Sequence, residues 1–91
     1  MELASEFEDA VKNIKNVNMD NLKISDGIKL ELYKYYKQST IGDCNIQEPY
    51  SIYYKEHAKW KAWNSIKGMP IEDAMKEYIN YYKNYIYNKK N

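Results

Sequence analysis

Two segments carry the side chains whose types and spacing could do chemistry: Tyr33-Lys34-Tyr35-Tyr36-Lys37, and Lys55 to Trp63 with Lys59 and Trp60 between. On a helix, residues three and four apart share a face, so Tyr33, Tyr36 and Lys37 converge while Lys34 and Tyr35 turn aside. Lys55 and Lys59 lie four apart, and Trp60 and Trp63 lie three apart on a neighbouring stripe. Phenols beside ammonium groups suit a ligand that is both aromatic and phosphorylated. Tyrosine offers a flat face for a base and a hydroxyl for a phosphate oxygen, and lysine supplies a compact cation that needs no bidentate fork.

Other chemistries find fewer supports. His57 is the only histidine and has neither a cysteine nor a paired carboxylate at metal-ligand spacing, so it reads as a surface residue and no metal site is expected. No serine sits in a nucleophile elbow, no glycine-rich phosphate loop is present, and Cys44 has no evident base partner. No catalytic residue is therefore expected. Taken singly, Tyr33 and Tyr36 would be packing residues and Lys37 and Lys59 solvated charges. Trp63, and to a lesser degree Trp60, read as core rather than as ligand contacts.

The elements that must position these residues are helices within one domain of 91 residues. The chain has 14 basic residues, all lysine, against 13 acidic ones, leaving a net charge of +1. That balance argues against a general nucleic-acid binder, so any phosphate site must be local. A single cysteine allows no intrachain disulfide and fits a reducing compartment. The first residues are acidic and periodic, unlike a signal peptide, and no apolar run approaches the roughly 18 residues of a membrane span. A cytoplasmic, soluble protein is expected.

Leu3, Phe7, Ala10, Val11, Ile14 and Val17 form the stripe of a first amphipathic helix. Residues 16 to 23 read as a loop, after which Ser25 or Asp26 caps a second helix carrying Ile28, Leu32, Tyr33, Tyr36 and Ile41, with Gly42 as its left-handed stop. Residues 42 to 54 show no sustained period and read as a long ordered connection. A third helix covers Tyr54 to Lys67, closed by Gly68. A fourth starts at Pro70, with Glu72 and Asp73 in its first turn, and carries Ala74, Met75, Tyr78, Ile79, Tyr82, Tyr85 and Ile86. Nothing alternates with period two, so the fold class is all-α with four helices.

In this order and spacing, Tyr33-x-x-Tyr36-Lys37-Gln38-Ser39-Thr40-x-Gly42-Asp43-x-Asn45, Pro49, Ala58-Lys59-Trp60-x-Ala62-Trp63-Asn64-x-x-Lys67-Gly68-Met69 and Glu72-Asp73-Ala74-Met75-x-x-Tyr78-Ile79 closely resemble the acyl-CoA-binding protein family. Phe7, Ala10 and Lys15 extend the likeness through the first helix. The resemblance implies an up-down-down-up four-helix bundle, a single domain over residues 1–91, and a non-catalytic carrier that forms a pool of medium- to long-chain acyl-CoA. By family analogy Tyr33, Lys37 and Lys59 hold the adenosine 3′-phosphate and adenine, Tyr78 adds contacts at the nucleotide end, and Lys15 borders the same site. Tyr36 would lie along the pantetheine and thioester, Lys55 near the ligand, and the acyl chain between the second and third helices. The ligand is acyl-CoA with no cofactor; a monomer is implied, with transient contacts to membranes or acyl-CoA-using enzymes and none to nucleic acid.

Three departures from the family pattern stand out. The connection between the first two helices is about three residues longer and lacks the usual proline, which alters the rim of the bowl. Gly27, Lys29 and Glu31 are unusual where the second helix borders the acyl groove, making its mouth more polar. Met69 replaces a hydroxyl residue that would cap the fourth helix, so Met69→Thr is expected to stabilise by about 1 kcal/mol. Two other readings stand beside the carrier: a helical interaction module docking through the tyrosine-rich fourth helix, and an accessory part of an acyl-CoA-using enzyme.

Overall fold

The computed structural model describes residues 2–90 and is built of helices, with no strand among those residues. Helix α1 (Leu3–Lys15) buries Phe7 and Ala10, with Leu3, Val11 and Ile14 packed beside them. Val17 also packs on the core but lies past the helix end, its N–H returning to the Ile14 carbonyl. Helix α2 (Asp26–Thr40) is capped by Ser25, whose Oγ accepts from the Ile28 N–H at 3.2 Å, so the hydroxyl rather than Asp26 satisfies the first-turn donor. Gly42 closes the helix at φ +102°, a conformation that suits a residue without Cβ.

Helix α2 buries Leu32, Tyr35, Gln38 and Ser39, while Tyr36 and Ile41 are exposed. This differs from the stripe read from periodicity. The helix is wedged between two neighbours, so its buried face is set by both of them. Gln38 is only 1 % exposed because its amide has work to do in the interior: its Nε2 donates to the Met69 carbonyl and to Asp43 Oδ1, each at 2.9 Å.

Helix α3 is regular over Tyr54–Asn64 and then tightens, with the N–H groups of Ile66 and Lys67 bonding three residues back. Gly68, at φ +92°, turns the chain into α4 (Ile71–Tyr81). The cap of α4 is Pro70, whose carbonyl accepts the first helical bond, from Ala74. Met69 therefore lies one position outside the cap, packed against the core, and cannot be the place where a hydroxyl is missing. The rod continues through a π-helical segment, Tyr82–Tyr87, into a last turn, Asn88–Lys90. The wider turn keeps Tyr82 and Ile86 buried and brings the Tyr87 ring to 6.1 Å from that of Tyr82. Tyr85, placed in the apolar stripe by the sequence pattern, is exposed.

Pairings across the helices fix their directions. Tyr33 meets Lys59 and the Gly42 carbonyl accepts from Trp63 Nε1, so α2 and α3 run parallel. Tyr35 packs near Tyr81 and Gln38 reaches Met69, so α2 and α4 are antiparallel. Phe7 meets Tyr78 and Asn13 donates to the Tyr82 hydroxyl, so α1 parallels α4. The order is up-down-down-up. Parallel neighbours need a long return, and residues 42–53 supply it, pinned to α3 where Trp60 Nε1 donates to the Ile46 carbonyl and His57 Nε2 sits 2.8 Å from Glu48 Oε2.

Candidate functional site

Two grooves lie along α2. One, of about 390 Å³, runs between α2 and α3 and is lined by Asp26, Lys29, Leu30, Tyr33, Tyr54, Lys55, Ala58 and Lys59. The other, of about 520 Å³, lies between α1 and α2, where Phe7, Val11, Lys12, Lys15, Tyr36, Ser39 and Met75 are among its walls. Both fall in the range of small-molecule sites, roughly 300–1,000 Å³. Tyr33 and Tyr36, one turn apart on α2, line the first and the second groove respectively. The connection between α1 and α2 joins their rims, since Lys15 and Lys29 border one hollow with Asp20 between them.

Of the candidate residues, Tyr33, Lys55 and Lys59 thus come together in the first groove, and Lys15 and Tyr36 in the second. Lys37 lines neither, but its Nζ lies over the Trp63 ring, 4.9 Å from the centroid. Lys59 Nζ lies 5.6 Å from the centroid of Tyr33. Trp63 is in turn fixed by its Nε1–H, which donates to the Gly42 carbonyl at 2.8 Å. These ammonium groups rest on aromatic faces, and among the described residues Lys15, Lys37, Lys55 and Lys59 have no carboxylate within pairing distance, whereas Lys29, Lys34 and Lys83 do. Unpaired cations held over rings are open to an incoming anion. Burial, then the neighbouring Cys44 thiol, pushes the Tyr33 phenol up from its ordinary pKa, so it stays a neutral donor.

Tyr78 is placed differently. It is only 4 % exposed, with its ring edge-on to Phe7 at 5.1 Å and tilted against Tyr36 at 6.2 Å. Burial, then the Tyr36 phenol, drives its pKa well up. It forms the floor on which Tyr36 lies rather than an open wall of either groove.

Several participants were not singled out from sequence. Lys12 and Val11 line the second groove, and Tyr54, Leu30 and Ala58 the first; the spacing of Ala58 and Lys59 beside Lys55 and Tyr54 was the available signal. Ser39 is buried at the second groove, and its Oγ has no hydrogen-bond partner among the described residues. Lys29 does enter the first groove, held at 2.7 Å by Asp20 from the long connection. Glu31 does not: it pairs with Lys34 at 3.0 Å and lies near Tyr35 and Tyr81, one helical step away from the groove wall. Gly27 is likewise absent from the lining.

The arrangement offers cations, a neutral phenol and two apolar channels, and no group of three or more potential metal ligands occurs among the described residues. No helix there is long and apolar enough to cross a membrane. The pattern of the family described as "Acyl CoA binding protein" matches residues 4–82. The chain is 42 % identical over 77 residues to the "Acyl-CoA-binding protein" of Dictyostelium discoideum, covering 85 % of this chain and 88 % of that one. It is 46 % identical over 72 residues to "Acyl-CoA-binding protein 2" of Saccharomyces pastorianus, covering 79 % and 83 %. The crystal structure of Oryza sativa Acyl-CoA-Binding Protein 2 superposes with a TM-score of 0.87 at 32 % identity, covering 98 % of this chain and 94 % of that one. With the bundle order, the paired grooves and these likenesses agreeing, the chain belongs to the acyl-CoA-binding protein family.

Proposed function

We propose that the protein binds one medium- to long-chain acyl-CoA, without catalysing a reaction on it, and acts as its carrier and pool former in the cytoplasm. The observation that carries this reading is the pair of lysines without carboxylate partners, Lys59 on Tyr33 in the α2–α3 groove and Lys37 on Trp63 one helical turn along α2 from Tyr33. The 3′-phosphate, with a charge near −2, takes Lys37, Lys59 and the Tyr33 hydroxyl. The nucleotide end extends toward Lys15 and Tyr78, Tyr36 lies along the pantetheine and thioester, and the acyl chain runs past Ala58, Leu30 and the methylene stems of Lys55 and Lys59. Cys44 and His57 are occupied elsewhere, the thiol near the Ile46 carbonyl and the imidazole at Glu48, which agrees with a binding rather than a catalytic role.

Magnitudes divide the labour. Each buried methylene contributes about 0.8 kcal/mol, so a chain of about 16 carbons outweighs any single phosphate contact. Charge-assisted hydrogen bonds, at roughly 1.5–3 kcal/mol each, select the CoA ester over the free fatty acid. Calorimetric titration tests the reading. One-to-one tight binding of palmitoyl-CoA is expected, weak binding of CoA and negligible binding of palmitate. Lys37→Ala should weaken palmitoyl-CoA by about 10- to 100-fold while costing only about 0.5–1 kcal/mol of stability through the lost ring contact. Palmitate binding as tightly as palmitoyl-CoA would sink the nucleotide anchor.

A further inference from the structure

Tyr50, Ile52, Tyr53 and Tyr54 are the most exposed large apolar side chains among the described residues, each 60 to 80 % open to solvent. Together they present on the order of 500–600 Å² on one short turn, and an apolar patch of that size marks an interaction surface. Hydrogen bonds hold the turn in place. The Tyr53 N–H donates to the Tyr50 carbonyl at 3.0 Å, the Trp60 indole donates to the Ile46 carbonyl, and His57 Nε2 pairs with Glu48 Oε2 at 2.8 Å. An ordered patch loses little conformational freedom when it is covered.

We propose that this turn is a self-association surface, at which a second copy of the chain covers the four side chains across a two-fold axis, in place of the monomer that the family likeness implies. Charge selects this occupant. Lys55 and Glu56 directly follow the patch at the start of α3; both are exposed, and neither is in an ion pair among the described residues. Neighbouring charges of opposite sign suit an isologous contact, because Lys55 of one copy then meets Glu56 of the other and the reverse holds equally. A surface of a single sign would satisfy only one of them. An anionic surface in particular would face the exposed carboxylates of Glu48 and Glu56, and Lys29 is already held by Asp20 at 2.7 Å. Two such patches face to face bury about 1,000–1,200 Å², at the lower end of specific interfaces, so the dimer forms in the micromolar to millimolar range. Tyr54 and Lys55 also line the α2–α3 groove, so the second copy stands beside it; the dimer does not depend on the acyl-CoA reading.

Sedimentation velocity of the full chain, free of ligand and followed from micromolar to millimolar concentration, tests the dimer. The mean mass should rise from one chain and level off at two. The combined variant Tyr50→Ser, Ile52→Ser, Tyr53→Ser should associate about 100-fold more weakly or worse while keeping its helical circular dichroism. These three residues line neither groove, so at dilutions where both proteins are single chains its calorimetric affinity for palmitoyl-CoA should match wild type. Two charge reversals leave the apolar patch intact. Glu56→Lys and Lys55→Glu should each weaken self-association by about tenfold or more, since like charges then meet, and an equimolar mixture of the two variants should recover it. A chain that stays single at every concentration would overturn the proposal and leave the patch to a partner of another kind. So would a dimer that survives the triple substitution, growth past two copies without a plateau, or a mixture that associates no better than its parents. Dimerisation without palmitoyl-CoA binding would leave the dimer standing and remove the carrier reading; the opposite pair of results would do the reverse.

Discussion

At the scale of single residues, the site is made by side chains whose usual partners have been replaced. A surface lysine normally stands in water or near a carboxylate; here Lys37 and Lys59 lie on aromatic rings, which hold an ammonium without neutralising it. Spacing made these residues visible, because Tyr33, Tyr36 and Lys37 share a helix face. It could not reveal that Trp63 is the support under Lys37, since that contact joins different helices. Ser39 is the opposite case, a polar group whose hydroxyl is buried without a protein partner at the α1–α2 groove. A buried unpaired hydroxyl costs roughly 1–3 kcal/mol, and alanine also favours a helix interior. Ser39→Ala is therefore expected to raise the stability of the ligand-free protein by about 1 kcal/mol, seen as a higher urea midpoint with unchanged slope. A lower midpoint would mean that the hydroxyl is satisfied and structural.

At the scale of elements, the junction between α3 and α4 is tied to the end of α2 by one carboxylate. Asp43 Oδ1 accepts from the Gly68 N–H at 2.7 Å and from Gln38 Nε2 at 2.9 Å. The bond from Gly68, then that from Gln38, and the nearby charge of Lys67 hold its pKa below the ordinary aspartate value, against a smaller opposing effect of burial. A carboxylate depressed in the folded state adds stability above its unfolded pKa of about 3.9, and that contribution is lost as pH falls through the lower folded value. Asp43→Asn keeps an acceptor oxygen for both donors but carries no charge. It should be less stable than wild type at neutral pH, with the difference shrinking on acidification below about pH 4; parallel thermal-midpoint curves for the two proteins would refute this. Gly42, Gly68 and the Asp43 position were legible as punctuation, yet their joint function depends on Gln38, which sequence patterning leaves as an ordinary polar residue. The α4 cap was misread by one position for a related reason: a proline at the start of a helix fits either the cap or the first turn, and only the Ala74-to-Pro70 bond decides. With Met69 packed on the core, Met69→Thr gains no cap and loses apolar contact. Chemical denaturation should show a loss of about 1 kcal/mol, and a gain of that size would restore the cap at Met69.

At the scale of the whole molecule, the number of helices and the long connection after α2 were legible in the pattern, while the bundle order came only from the family likeness, because helix directions depend on contacts between helices. The π-helical end of α4 was not legible, since nothing in a stripe of tyrosines distinguishes a five-residue from a four-residue repeat until Asn13 and the Tyr87 ring fix where Tyr82 must sit. The shape of the α2–α3 groove also depends on the longer connection, which brings Asp20 to Lys29 and so places a paired charge on the groove wall next to Leu30. Along that wall, two added methylenes are worth about 1.6 kcal/mol, or somewhat more than tenfold in affinity. On the proposed binding mode, carbons added beyond Leu30 should meet Lys29 and Asp26 and gain much less. Calorimetry from octanoyl- to stearoyl-CoA should therefore show a steep rise and then a plateau. Lys29→Leu removes the charge while keeping the bulk of the stem, and it should shift the plateau to longer chains while leaving the shortest ones unchanged, because they never reach that end. A uniform change across the whole series would instead place Lys29 at the nucleotide end and reverse the direction in which the acyl chain runs along α2.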